Sequence, residues 1–130
     1  MARVTIVNDN PEFLELVHDI LEDDRYDATA IDGDRDDAFE RILESRPDVL
    51  MIDLRLGTEG THGWEIAKQV RRAPGLDDVP VLVCSADTLA LEEIQSELAA
   101  TQRVEALTKP FSVDDLTNAI DRLLANPAAR

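Results

Sequence analysis

A doubly wound α/β sheet is the fold this sequence predicts, and three features predict it. Short apolar or β-branched runs alternate five times with stretches whose apolar residues recur at helical spacing. The central run, Val49–Asp53, stays apolar until its last residue, as a strand covered on both faces would. The chain has 130 residues, 44% of them hydrophobic, enough for one domain that buries roughly two thirds of its unfolded surface.

Taken in order, residues 3–7 are β-branched and read as the first strand. Asn10-Pro11 is an N-cap with proline at the first helical position, and Phe13, Leu14, Leu16, Val17, Ile20 and Leu21 follow at helical spacing. A weaker strand over 26–31 ends at Asp32-Gly33. Ala38, Phe39, Ile42 and Leu43 mark a second helix, stopped by Ser45-Arg46-Pro47. The third strand is Val49–Asp53. Residues 57–63 form a polar loop with glycines at 57, 60 and 63, and Trp64, Ala67 and Val70 carry a third helix ended by Pro74-Gly75. A fourth strand covers 79–85, and Leu91, Ile94 and Leu98 a fourth helix. The fifth strand is Val104–Thr108. Ser112 and Asp115 form a capping box that opens a last helix with Leu116, Ala119, Ile120, Leu123 and Leu124 inward.

Net charge is −15, from 28 acidic and 13 basic residues, a field that repels polyanions and anionic membranes. The basic run from Lys68 to Arg72 falls at a helix end, where it complements the helix dipole. Direct nucleic-acid binding is therefore not expected. Cys84 is the single cysteine, so no intrachain disulfide can form; its apolar surroundings mark it as an inert core residue. With no charged-then-apolar leader and no apolar run near the ~18 residues of a membrane span, a cytoplasmic protein without membrane contact is expected.

Right-handed crossovers bring the carboxyl ends of all five strands to one edge, and with them Asn8-Asp9, Asp32, Asp53, Ser85 and Thr108-Lys109. In the order 2-1-3-4-5 the first and third strands are neighbours, and their ends form the switch point where ligands bind. Asp9 and Asp53 then face one another. Two carboxylates in a half-buried cleft repel unless a cation joins them, which makes this edge a candidate metal site.

These residues resemble the receiver domain of two-component response regulators: Asn8-Asp9 with Pro11 soon after, Asp53 in Met-Ile-Asp-Leu, Ser85-Ala86 closing the fourth strand, and Lys109-Pro110-Phe111 after the fifth. The resemblance runs along essentially the whole chain and implies a flavodoxin-like fold and a phosphorylation-dependent switch. It implies that Asp53 accepts a phosphoryl group from a histidine kinase or phosphotransfer protein, that Asp9, Asp53 and the Arg55 carbonyl ligate Mg²⁺, and that Ser85 and Lys109 each contact a phosphoryl oxygen. It also implies a cis Lys109-Pro110 bond, and a domain that catalyses only its own phosphoryl transfer and dephosphorylation. Residues 1–126 would form the receiver and 127–130 a tail; a homodimer and an unspecified downstream target protein complete the implied partners.

The chain departs from the family pattern in three places. Asn8 stands where the family usually has an acid, so weaker Mg²⁺ binding is expected, with the amide oxygen still able to accept from a metal-bound water. Ala106 stands where an aromatic ring is frequent, so activation is expected to run through Ser85, the 87–101 segment and the backbone around Val104. The 53–63 loop is about two residues longer than usual, and His62 reads as an exposed loop histidine without a role. Arg55 and Asp87, two residues beyond Asp53 and Ser85, carry opposite charges that either pair across the mouth of the site or stay separately solvated. The rival reading is a degenerate receiver that binds protein without phosphorylation. An enzyme or flavodoxin on the same fold is opposed by the residues after the first strand, which lack a second acid at Pro11 and a hydroxyl- and glycine-rich phosphate loop.

Overall fold

The structure, a computed structural model, describes residues 2–56 and 62–125. The chain alternates strand and helix: β1 (Arg3–Asn8), α1 (Pro11–Asp23), β2 (Asp27–Asp32), α2 (Ala38–Ser45), β3 (Val49–Asp53), α3 (His62–Arg71), β4 (Val81–Ser85), α4 (Thr88–Ala100), β5 (Val104–Thr108) and α5 (Val113–Ala125). The strands form one parallel sheet in the order β2-β1-β3-β4-β5.

Alternation along the strands divides the core in two. Val7, Ile31, Leu50, Ile52, Val81 and Val83 pack with α2, α3 and α4 on one face. Val4, Ile6, Val49, Met51, Leu82 and Cys84 pack with α1 and α5 on the other. All of β4, and β3 up to Asp53, is buried, which is why these strands read as unbroken apolar runs. Each such side chain contributes roughly 1.5–3 kcal/mol by leaving water. The buried Thr5 hydroxyl is matched to Ser45 Oγ at 2.6 Å, and Ser45 in turn donates to the Ile42 carbonyl at 2.7 Å. β5 is only partly covered, and α4 buries just Ala90 and Ile94.

Caps set where the helices start. Asn10 Oδ1 accepts from the backbone N–H groups of Glu12 and Phe13, at 2.9 and 3.2 Å. Ser112 and Asp115 make the reciprocal capping box of α5, at 3.0 and 3.1 Å. Arg25, Arg46 and Arg103 adopt left-handed backbone, and each turns the chain toward the strand that follows.

The boundaries differ from the sequence reading in specific places. β1 runs on to Asn8 and β2 to Asp32, because their last residues remain paired in the sheet. β4 starts at Val81 rather than residue 79: Val79 donates to Leu76 in a turn, and Pro80 has no N–H to give a ladder. Leu16, grouped with the apolar face of α1, is 60% exposed, since Leu14, Val17 and Leu21 already fill that face. His62 and Gly63 belong to α3 rather than to a loop. Glycine is required at 63 because a Cβ there would lie 1.9 Å from the Asp53 carbonyl oxygen; its N–H donates to the Leu54 carbonyl at 2.9 Å. The loop at 57–61, on which the extra length rests, and the tail at 127–130 lie outside the described residues. No helix among the described residues is long and apolar enough to cross a membrane.

Candidate functional site

The carboxyl edge of the sheet brings together the residues that the strand ends point to. Asp53 closes β3, between Asn8-Asp9 at the end of β1 and Ser85 at the end of β4; Lys109 follows β5. Asp9, Asp53, Arg55, Ser85, Asp87 and Lys109 line one open cleft of about 670 Å³.

Asp53 is at its centre, with a side chain 11% exposed. Its Oδ2 accepts from Lys109 Nζ at 3.1 Å and from Asn8 Nδ2 at 3.0 Å; its Oδ1 accepts from the Arg55 backbone N–H at 3.3 Å. The Lys109 ammonium also lies 4.3 Å from the centroid of the Phe13 ring, which packs edge-on against Phe111. The Lys109 backbone is tied to the sheet by its N–H to the Ser85 carbonyl at 2.9 Å, and the Lys109-Pro110 bond is cis. Lysine and acid are thus positioned by strand ends and by two aromatic rings.

Ser85 is 1% exposed, and its Oγ accepts from the Asp87 N–H at 2.9 Å. That bond uses a lone pair, so the hydroxyl proton remains free to donate among the described residues. Asp87 Oδ1 caps α4 through the Ala90 N–H at 3.0 Å, and its Oδ2 accepts from Arg55 at 3.0 Å. The mouth of the cleft is therefore spanned by an ion pair, as the opposite charges at 55 and 87 suggest.

Asp9 makes no hydrogen bond or ion pair among the described residues. Asp9 and Asp53 at this open cleft are oxygen donors suited to a hard divalent cation that keeps most of its water. A third acid is missing: among the described residues no cluster of three His, Cys, Asp or Glu is placed for a metal. Asn8 fills that place, and its orientation corrects the expectation of an amide oxygen turned to a metal-bound water. Its Oδ1 accepts the Asn10 N–H at 2.8 Å, which leaves the NH₂ end facing Asp53.

Other residues singled out in the sequence lie elsewhere. Asp32 accepts the Asp34 N–H at 2.9 Å in its own turn, outside the cleft. His62 is exposed at the start of α3, and Ala106 is exposed on β5. Cys84 is inert: burial pushes its thiol up to about 12. What the sequence did not reveal is a clasp between α3 and α4. The buried Trp64 indole donates to Glu97 Oε2 at 2.9 Å, and Lys68 reaches the same oxygen at 3.1 Å. The Trp64 bond, and next the Lys68 bond, hold the Glu97 carboxyl below the ordinary glutamate range. Trp64 and Glu97 are 33 residues apart, and nothing in the local pattern joins them.

Comparison with known proteins places this arrangement. The family model for the response regulator receiver domain matches residues 4–121. The chain is 32% identical over 127 residues to the DNA-binding dual master transcriptional regulator RpaA of Synechocystis sp.; the match covers 95% of this chain and 49% of that protein, so the chain spans about half its length. The structure of the Vibrio cholerae chemotaxis protein CheY4 superposes with a TM-score of 0.80 at 27% identity, covering 95% of this chain and 99% of that one. A receiver domain of the Pseudomonas aeruginosa sensor histidine kinase PA1611, with magnesium coordinated in its active-site cleft, shares the fold at 22% identity and a TM-score of 0.76, over 96% of this chain and 98% of its own. With the family match spanning the whole sheet and the cleft at its carboxyl edge, the chain belongs to the response regulator receiver family, the signalling domains of two-component systems.

Proposed function

We propose that the chain is a phosphorylation-dependent switch in which Asp53 accepts a phosphoryl group from a phosphohistidine on a kinase or phosphotransfer protein. The observation that carries this reading is the Asp53 carboxylate itself, held by Lys109 at 3.1 Å inside an open cleft that it shares with Asp9 and Ser85. An Asp53 oxygen attacks phosphorus; a P–O bond forms as the P–N bond of the donor breaks, and the imidazole keeps the bonding pair and is neutral after taking a proton from solvent. Lys109 pairs with one phosphoryl oxygen as a point charge, and the free Ser85 hydroxyl proton serves another. Asp9, Asp53 and the Arg55 carbonyl are the groups that would hold Mg²⁺. Bound there, the ion supplies charge neutralisation for the incoming phosphoryl oxygens.

Residues 1–126 would act as one receiver unit, in the cytoplasm where such donors work. Its effector is a downstream protein or further segment, with any contact to nucleic acid made elsewhere, given the −15 charge of this chain. A second reading, a binding module indifferent to phosphorylation, is favoured by one observation: the Asn8 amide already pairs with Asp53 at 3.0 Å. Incubation with acetyl phosphate and Mg²⁺ separates the two. Our reading expects one acid-stable, hydroxylamine-labile phosphoryl group by mass spectrometry. No adduct, with either acetyl phosphate or phosphoramidate, would favour the binding module.

A further inference from the structure

Asn8 is 2% exposed, and both ends of its amide are engaged. The Asn10 N–H bonds Oδ1 at 2.8 Å in the turn that prepares the cap of α1, and the Asn8 carbonyl accepts from Gly33 at 3.0 Å. Backbone and side chain are thus both locked, and the NH₂ group has one place to point: Asp53 Oδ2, at 3.0 Å. With Lys109 on the same oxygen and the Arg55 N–H on the other, Asp53 has three donors and needs no cation to be ordered.

A carboxylate at residue 8 that kept the Asn10 bond would invert this. Its second oxygen would sit where Nδ2 now sits, 3.0 Å from the Asp53 oxygen, and two like charges that close in a nearly buried site repel unless a cation separates them. We propose that Asn8 is a positioning residue that stands in for a cation: its amide holds Asp53 oriented in the metal-free protein, so the carboxyl edge is complete without Mg²⁺ and the metal adds little stability when it binds. That the carboxylate so oriented is a phosphoacceptor rests on the proposed function. The amide–carboxylate contact is tested without it.

The test is thermal unfolding of the full chain in EDTA and in rising MgCl₂, for wild type, Asn8→Asp, Asp53→Asn and the double variant, with Mg²⁺ affinity measured by calorimetry. In EDTA the Asn8→Asp midpoint falls by about 4 °C or more and recovers in millimolar Mg²⁺, while wild type shifts by less than about 1 °C. Asn8→Asp binds Mg²⁺ about tenfold more tightly than wild type. The double variant, which merely exchanges amide and acid across the contact, escapes the penalty in EDTA. If Asn8→Asp does not fold in EDTA, the double variant still must; failure of both would place the defect in the local packing of residue 8 and overturn the proposal. Equal midpoints for Asn8→Asp and wild type in EDTA, or equal stabilisation of the two by Mg²⁺, would overturn it as well. None of these readings involves phosphoryl transfer. A wild type that never accepts a phosphoryl group would therefore sink the acceptor reading and leave the contact standing.

Discussion

At the amino edge of the sheet, arginines stand where the chain enters the strands: Arg3 opens β1, and Arg25, Arg46 and Arg103 precede β2, β3 and β5. At the carboxyl edge the strands end in Asn8, Asp32, Asp53, Ser85 and Thr108. Two guanidinium groups at the amino edge, Arg71 at the end of α3 and Arg103 before β5, take main-chain partners. Arg71 donates to the carbonyls of Val79 and Gln102, at 2.9 and 2.7 Å; Arg103 donates to those of Asp78 and Leu123, both at 3.1 Å. These guanidinium groups join the α3–β4 and α4–β5 loops and the end of α5, and cations there also complement the helix carboxyl ends. Arg71 is buried enough that desolvation lowers its pKa, and Arg103 Nε has no partner among the described residues. Asp9 and the Ser85 proton, by contrast, face a cleft open to solvent. Charge saturated by the protein's own backbone is structure, and charge left facing a cleft is available to a ligand.

That contrast can be broken by substitution. The largest effect is expected at the carboxyl edge: Asp53→Asn should abolish phosphoryl acceptance from a small donor, read by mass spectrometry, while urea unfolding changes by no more than about 1 kcal/mol. A modification that persists on the variant would move the acceptor elsewhere. At the amino edge the reverse is expected. Arg103→Ala removes two charge-assisted bonds to backbone and should lower unfolding stability by about 2–4 kcal/mol, with Asp53 phosphorylation intact in the folded fraction. Equal losses of stability and acceptance would show that the two edges are not separable.

A smaller effect is expected at the Arg55–Asp87 pair. Arg55 is 60% exposed, so the pair is worth roughly 0.2–1 kcal/mol, enough to lengthen the lifetime of the phosphorylated protein by at most about fivefold. Arg55→Ala and Asp87→Asn, the latter chosen to keep the α4 cap, should both speed decay, and high salt should shorten the wild-type lifetime. Three lifetimes that agree within about twofold would leave the pair no role as a gate.

The smallest effect concerns pH and the α3–α4 clasp. The Trp64 and Lys68 bonds lower the Glu97 pKa, so their contribution is complete above the unfolded glutamate value of about 4.3 and is lost as pH falls through the lower folded value. Trp64 emission should therefore change at the acid end, below that pH, and the change should vanish in Glu97→Gln. A transition that survives the substitution would assign it to another carboxylate.

How much of this was legible in the sequence depended on whether the signal was local. The strand order follows from five βα units, and Asp9, Asp53, Ser85 and Lys109 were legible because each sits at a strand end, where the topology leaves little freedom. The α1 and α5 caps were read directly from Asn10-Pro11 and Ser112–Asp115. The misreadings share a different cause. Leu16 fits the helical period but lost its place in the core to its neighbours. The start of α3 was hidden by Gly63, which reads as loop until the approach of the Asp53 carbonyl explains it. The Asn8 amide could not be oriented without knowing that the Asn10 N–H takes its oxygen. The arginine bonds to distant carbonyls and the Trp64–Glu97 contact have no sequence period at all.

The close seat of Gly63 on the end of β3 has an optical consequence. The chain holds a single tryptophan, and it is the next residue. A shift of the Asp53 backbone would reach, through the Gly63–Leu54 bond, an indole that is 1% exposed and hydrogen-bonded to a carboxylate, surroundings that set both the colour and the yield of its emission. The protein thus carries its own dye, unlabelled and without background from a second indole. Stopped-flow emission at one wavelength pair should time the arrival of a phosphoryl group at Asp53.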